Sequence, residues 1–248
     1  MVSGCAPLVS PLTASRCNDA ATAPTTGAGL PPGTGGTLLA WVGVVTAGPM
    51  AFRVSLKRLL LTVALSAGLL VAAASLAVRQ MSATARVDSA GVDGSAYGFA
   101  VPALDGHATP LATYRGKVSL IVNVASECGL AAQYQGIDAL HRRYASQGFT
   151  VLAFPSNDFL QEVLDDTGIA RMCQLRGYAY PMFARTHVRG DDQAPLYRFL
   201  TTATGETPPW NFGKYLIDRQ GRPLAYFGPF VEPDDPALLR AIEEALGQ

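Results

Sequence analysis

Hydrophobic and polar residues follow three different patterns along the chain. Residues 1–50 carry one acidic and one basic side chain, Asp19 and Arg16, and Pro, Gly, Ser, Thr and Ala make up most of the rest. Residues 59–78 follow without a single charge. Beyond residue 86, short apolar runs alternate with stretches in which apolar residues recur every three or four positions. These patterns predict a disordered segment, one long apolar helix and a folded region.

The folded region shows an order of elements that is typical of a three-layer α/β domain. Two near-continuous apolar runs predict strands buried on both faces of a sheet, and two later runs predict a hairpin. Helical periodicity fills the spaces between them. The predicted strands are 117–124, 149–154, 214–218 and 223–227, and the predicted helices are 131–146, 165–176, 194–202 and 235–246. This order predicts a central sheet covered by helices on both faces.

The apolar run 59–78 has two interpretations, both of which place the folded region outside the cytoplasm. Arg53, Lys57 and Arg58 precede the run and the sequence Ala83-Thr84-Ala85 follows it, which fits a cleaved export signal. The run is longer than an ordinary signal core and spans about 30 Å as a helix, which favours an uncleaved membrane anchor. A buried core helix is disfavoured because no neighbouring segment could cover it.

These patterns divide the chain into a disordered segment 1–50, a signal or anchor segment 51–86 and a folded domain 87–248. Met50 opens a conventional signal-like start. This leads to the hypothesis that residues 1–49 precede the natural start of translation.

Charge is divided unevenly between these segments. The 248 residues carry 19 basic and 19 acidic side chains, but residues 1–86 have a net charge of +5 and residues 87–248 a net charge of −5. An acidic domain argues against binding of nucleic acid through phosphate neutralisation. The four cysteines are too few for a disulfide-dense scaffold.

Cys128 is the first candidate for chemistry because it lies between a predicted buried strand and a predicted helix. Unpaired backbone N–H groups and the helix dipole at such a junction lower the pKa of a thiol and favour the reactive thiolate. The alternative is a small buried apolar residue. Position 131 is Ala, which excludes the C-x-x-C pair of a disulfide exchanger.

Three ordered motifs in this domain resemble the glutathione peroxidase family in its cysteine form. Residues 116–130 resemble the peroxidatic-cysteine signature, residues 152–161 resemble the F-P-C-N-Q-F segment and the glutamine after it, and residues 210–212 match W-N-F. The resemblance implies a thioredoxin-like fold and a peroxidase that reduces hydrogen peroxide or organic and lipid hydroperoxides. It also implies a catalytic tetrad of Cys128, Gln161, Trp210 and Asn211, with Cys128 as the thiolate and the others as hydrogen-bond donors.

The resemblance further implies how the enzyme is reduced. Cys173 matches the position of a resolving cysteine, which forms an intramolecular disulfide with oxidised Cys128. The connection 201–209 lacks the insertion of tetrameric glutathione-using members. We therefore expect a monomer and a thioredoxin-like reductant in preference to glutathione.

Departures from the family pattern concern the loop before Gln161. The connection from Asn157 to Gln161 is one residue shorter than usual. Asp158 replaces a glutamine and, if close to Cys128, would raise the pKa of its thiol. Two alternative functions therefore stay open, a redox relay that passes its disulfide to a client protein and a non-catalytic interaction domain. The single histidines His107, His141 and His187 have no metal-ligand spacing, and we expect no metal or cofactor.

Overall fold

The computed structural model describes residues 55–87 and 93–247. Residues 1–50, which are predicted to be disordered, lie outside the described residues. The chain divides into two units, one of which is Leu8–Gly68 and the other of which contains Leu69–Gln248. Of the smaller unit, the structure describes only residues 55–68, most of which belong to one helix. The larger unit contains the folded domain.

Helix α1 (Leu56–Met81) covers the predicted apolar run and extends it at both ends. The stretch Lys57–Met81 has a mean hydropathy of 2.3, and by length and composition it is able to cross a membrane. Its hydroxyl side chains donate to carbonyls of the preceding turn, as the Ser75 Oγ does to the Val71 carbonyl at 2.8 Å. Such internal bonds satisfy polar groups where water is absent. Leu69 is 73% exposed and Leu70 is 71% exposed.

Within residues 55–87 and 93–247, seven strands form two sheets. In chain order they are β1 Thr84–Arg86, β2 Ala100–Pro102, β3 Ala108–Pro110, β4 Val118–Val124, β5 Phe149–Pro155, β6 Lys214–Ile217 and β7 Pro223–Phe227. The main sheet has the order β1-β7-β6-β4-β5, and β2 pairs with β3 separately. Only β4 and β5 are parallel, and the other pairs in the main sheet are antiparallel. All four predicted strands are confirmed, whereas β1, β2 and β3 are too short to give a pattern in the sequence.

One row of residues crosses the main sheet and shows which strand ends lie together. Thr84 pairs with Phe227, Phe227 with Lys214, Lys214 with Val122, and Val122 with Ala153. Strand β7 ends at this row, β1 and β6 begin at it, and β4 and β5 end two residues beyond it. We call this side of the sheet the carboxyl edge. The segments that follow β4, β5 and β7 and precede β1 and β6 therefore emerge together.

Helices cover both faces of the main sheet and confirm the three-layer arrangement of a thioredoxin-like fold. They are α2 Gln133–Tyr144, α3 Asp166–Arg176, α4 Pro195–Thr204 and α5 Pro236–Leu246. The side chains of β4 alternate between two core clusters, with Leu120 and Val122 in one and Ile121 in the other. The first cluster also takes residues from α2, α3 and α5, and the second takes residues from α4. This alternation is the period of two expected for a strand buried on both faces.

Candidate active site

Cys128 lies in the loop that leaves β4 at the carboxyl edge. Its side chain is 5% exposed, and the backbone N–H of Leu130 donates to its Sγ at 3.4 Å. The backbone N–H of Ala131 donates to the Cys128 carbonyl at 2.9 Å. Helix α2 begins at Gln133, two residues later than predicted. The donor that faces the sulfur is therefore an amide of the loop before the helix.

Gln161 and Asn211 come from the loops on either side of Cys128, because β4 lies between β6 and β5. The Asn211 Nδ2 donates to the Gln161 Oε1 at 3.0 Å. The backbone N–H of Glu127 donates to the Gln161 carbonyl at 3.0 Å. Gln161 therefore contacts both neighbouring loops despite its shortened connection. Since its amide oxygen is used as an acceptor, its Nε2 hydrogens are the groups with which it can donate to a ligand.

Trp210 lies half-buried beside these residues. Its ring packs against Phe159 with ring centroids 5.2 Å apart, and it also packs against the core cluster that contains Cys128. The four residues of the predicted tetrad therefore lie on three adjoining loops of one sheet edge. Of these four, Gln161 and Asn211 are joined by a side-chain hydrogen bond.

Asn123 holds the loop that carries Trp210 and Asn211, a role that the sequence analysis missed. It is fully buried in β4. Its Nδ2 donates to the Trp210 carbonyl at 3.1 Å, its carbonyl accepts from the Phe212 N–H at 2.6 Å, and its own N–H donates to the Gly213 carbonyl at 3.3 Å. A polar residue near the end of a mostly apolar strand was the signal that could have identified it.

Glu162 joins the Gln161 loop to the Cys128 loop, and the sequence analysis missed this residue too. The side chain is 1% exposed, and its carboxylate accepts from the Ser126 N–H at 3.0 Å and from the Ser126 Oγ at 2.7 Å. It also accepts from the Leu164 N–H at 3.2 Å. The backbone N–H of Glu162 donates to the Asn157 Oδ1 at 3.1 Å. A buried carboxylate with several donors is a rigid connection, because breaking it leaves an unpaired charge in the interior.

We expect Glu162→Gln to loosen both loops. The glutamine places an NH₂ group against one of the donors that faced a carboxylate oxygen, so unfolding should become easier by about 2 kcal/mol. The turnover rate with hydrogen peroxide should fall about fivefold because Gln161 and Cys128 lose their fixed spacing. Thermal unfolding and peroxide consumption measure the two effects. The matched control is Glu127→Gln at an exposed neighbour, and an equal loss there would contradict the assignment.

The side chain of Asp158 contacts the segment 187–189. Its Oδ1 lies 2.7 Å from the His187 Nδ1, and its Oδ2 accepts from the N–H groups of Val188 at 2.6 Å and Arg189 at 3.2 Å. The guanidinium of Arg189 stands 5.3 Å from the centroid of the Phe159 ring. The carboxylate therefore fixes the segment that packs beside the Trp210 loop.

Cys173 is fully buried in α3, in the same core cluster as Cys128. Its thiol contacts the Met182 Sδ at 3.3 Å. Tyr134 belongs to the same core cluster, and burial, followed by the charge of Glu162, raises the pKa of its hydroxyl. Neither cysteine forms a disulfide in this structure.

Lys214 is a fully buried lysine at the start of β6. Its Nζ donates to the Phe212 carbonyl at 2.7 Å, which adds a further bond to the Trp210 loop. Burial lowers the pKa of Lys214 from 10.5 to about 7, and the charge of Glu232 opposes this shift. Phe212 itself has a φ of 70°, so this loop passes through the left-handed region and needs such support.

Stability should rise with pH between about 7 and 9 because of Lys214. In this window the unfolded chain keeps the lysine proton, whereas the folded chain has released it. The unfolded state therefore binds more protons, and the free energy of unfolding rises with pH by up to about 2 kcal/mol. Chemical denaturation at several pH values measures this rise. Lys214→Met should remove the rise, and Lys117→Met, at an exposed lysine, should leave it in place. A rise that persists in Lys214→Met would assign it to another group.

Comparison with known proteins identifies relatives of this chain. A sequence model described as glutathione peroxidase matches residues 96–201. The hydroperoxy fatty acid reductase gpx1 of Synechocystis sp. is 42% identical over 153 residues, covering 57% of this chain and 90% of that protein. The glutathione peroxidase homolog BsaA of Staphylococcus aureus (strain MW2) is 41% identical over 156 residues, covering 60% of this chain and 98% of that protein.

A solved structure gives the same result. The crystal structure of T. cruzi GPX1 is 33% identical to this chain with a TM-score of 0.50, and the match covers 62% of this chain and 97% of that one. Because relatives at about 40% identity are covered over nine-tenths or more of their length, the chain belongs to the glutathione peroxidase family and is a peroxidase-type oxidoreductase.

Proposed function

We propose that this protein is a thiol peroxidase in which Cys128 is the peroxidatic residue. The observation that carries the proposal is the position of Cys128 between the loops of Gln161 and Asn211, whose side chains are hydrogen-bonded to each other at 3.0 Å. Neither amide titrates in the useful pH range, so both act as fixed dipoles. The substrate is a hydroperoxide, a class also named in the Synechocystis relative.

The first step is attack of the Cys128 thiolate on the distal oxygen of the hydroperoxide. The S–O bond forms as the O–O bond breaks, which gives a sulfenic acid and an alkoxide that takes up a proton to leave as an alcohol, or as water from hydrogen peroxide. The donors of Gln161, Trp210 and Asn211 stabilise the thiolate and the developing alkoxide.

Cys173 completes the cycle as the resolving cysteine. Its thiolate attacks the sulfenic sulfur of Cys128, a disulfide forms and hydroxide leaves as water after protonation. Because Cys173 is fully buried in α3, part of that helix unwinds before the sulfurs meet. A thioredoxin-like dithiol, in preference to glutathione, then reduces the disulfide, and the monomeric enzyme protects its compartment against oxidative stress.

The proposal is tested with a single equivalent of hydrogen peroxide and no reductant. Peptide mass spectrometry of the full chain should find a disulfide between Cys128 and Cys173, with loss of two free thiols. Stable sulfenic acid at Cys128 without a disulfide would remove the resolving role and favour the redox relay, in which oxidised Cys128 reacts with a client. Unreacted peroxide would refute the peroxidase mechanism.

We further propose that α1 is an uncleaved anchor and that the folded domain lies on the extracytoplasmic side. Arg53, Lys57 and Arg58 before the run favour the cytoplasmic side for its start. The site at which a signal peptidase would cut, around Ala85, lies within β1, which pairs with β7. Cleavage there would cut an edge strand of the sheet.

Membrane fractionation tests the anchor. The protein should stay with membranes after extraction with alkaline carbonate, and its amino-terminal peptide should include residues of α1. A mature protein that begins near residue 86 and is released from membranes would show that the segment is a cleaved signal.

A further inference from the structure

The carboxyl-terminal end of α1 joins the sheet at the carboxyl edge, where Cys128 lies. Only Ser82 and Ala83 separate the helix from β1. The junction is fixed by backbone hydrogen bonds, from the Gly228 N–H to the Ala83 carbonyl at 2.6 Å and from the Phe230 N–H to the Met81 carbonyl at 2.7 Å. The domain therefore has no flexible linker at this point.

Cys128 lies at the same edge, a short distance from the end of α1. Strand β1 is separated from β4 by β7 and β6. Three strand spacings amount to about 15 Å. If α1 leaves a bilayer at Met81, the loops of the active site lie close to the lipid headgroups.

Exposed apolar side chains concentrate at this edge. Of the four large apolar residues of the described domain that are strongly exposed, three lie in segments that leave β5 or β7, with exposures of 85% for Leu160, 66% for Val163 and 43% for Phe230. Leu160 and Val163 flank Gln161 and Glu162. Leu160 also has a φ of 58°, a conformation that costs energy for a residue with a side chain.

The fourth exposed residue, Leu175, lies at the other side of the sheet. It belongs to the last turn of α3, which starts after the β5 loop and runs back from the carboxyl edge. The Arg142 side chain near the end of α2 donates to the Gly177 carbonyl at 2.8 Å, so both helices end on that side. Leu175 is 78% exposed and is a matched control for Leu160.

We propose that the lipid bilayer is the partner of the carboxyl edge, with Leu160, Val163 and Phe230 as its contact surface. This inference rests on the proposed anchor and on the proposed peroxidase activity. The anchor holds the edge against the membrane, and the apolar side chains enter the boundary between headgroups and acyl chains. Cys128 thereby faces hydroperoxides that remain within membrane phospholipids.

The test uses the full chain in phosphatidylcholine vesicles that contain phosphatidylcholine hydroperoxide, with dithiothreitol as the reductant. The measured quantity is the rate with the vesicle-bound hydroperoxide divided by the rate with hydrogen peroxide. The double variant Leu160→Glu/Val163→Glu should lower this ratio about tenfold because charged side chains are repelled by the apolar boundary. Leu175→Glu should leave the ratio at the wild-type value. An unchanged ratio in the double variant would overturn the proposal.

A second measurement does not depend on catalysis. In a Trp41→Phe background, lipids with brominated acyl chains should quench the fluorescence of Leu160→Trp more strongly than that of Leu175→Trp. Equal quenching would overturn the proposed surface even in an active enzyme. Release of the protein by alkaline carbonate would refute both the anchor and the surface while leaving the peroxidase activity in place. If the protein reacts with no hydroperoxide but the difference in quenching persists, only the proposed peroxidase function is refuted.

Discussion

Replacing Cys128 by serine should reduce peroxide consumption by about a thousandfold or more, because a serine hydroxyl stays protonated near neutral pH and is a far weaker nucleophile than a thiolate. The substitution is small, and the site already excludes most solvent, with 5% of Cys128 exposed. The fold should therefore persist. Peroxide consumption with dithiothreitol as the reductant measures the loss, and thermal unfolding checks that the variant is folded.

Cys173→Ser is the control for this result, because Cys173 is the other cysteine of the core cluster that contains Cys128. Loss of Cys173 should leave the first reaction with peroxide intact, whereas loss of Cys128 should abolish it. Activity that survives in Cys128→Ser would show that the reaction does not pass through this residue. Equal losses in both variants during the first turnover would contradict the division of roles.

Cys173→Ser should lower steady-state turnover with a thioredoxin system by about a hundredfold, since the sulfenic acid at Cys128 can no longer be converted to the disulfide that a dithiol protein attacks. One equivalent of peroxide should still be consumed rapidly. Stopped-flow measurement of the first turnover and steady-state assay of the later ones separate the two steps. Turnover with thioredoxin at the wild-type rate would remove Cys173 from the cycle.

The helix that carries Cys173 sets a physical limit on this second step. Its first turn is capped by Asp165, whose Oδ1 accepts from the Gly168 N–H at 2.7 Å. Its last turn ends at Gly177, with φ of 65°. Unwinding breaks contacts at both ends, including the bonds from the Arg185 N–H to the Asp166 Oδ1 and from Arg142 to the Gly177 carbonyl, and it removes Cys173 from the core. We expect the thiol to leave the core only after oxidation of Cys128 has provided a partner.

Much of the fold could be predicted because its signals are local. The strand runs at 117–124 and 149–154 are mostly apolar, and such runs are typical of strands buried on both faces. The apolar run 59–78 predicts a helix from length alone. The short strand β1 gives no such signal, since three residues, of which two are exposed, show no periodicity. Its pairing with β7 depends on the tertiary structure.

The candidate site divides in the same way. Cys128, Gln161, Trp210 and Asn211 follow from motifs in the sequence, because their order and spacing carry the resemblance. Glu162 and Lys214 could not be assigned a place, because a charged residue in a sequence is most often exposed. Burial and the identity of their partners, which lie in distant segments, decided their roles as fixed connections of the loops.

By itself the sequence determined the class of the domain and its family, and it predicted the residues of the candidate site, because periodicity and motif spacing are properties of the chain. The tertiary structure alone decided that the shortened loop still brings Gln161 to Asn211 and that α1 meets the sheet at the edge of Cys128. Both facts depend on strand order and direction. Strand order and direction are set by pairing between segments that lie far apart in the chain, and no local sequence pattern predicts which segments pair.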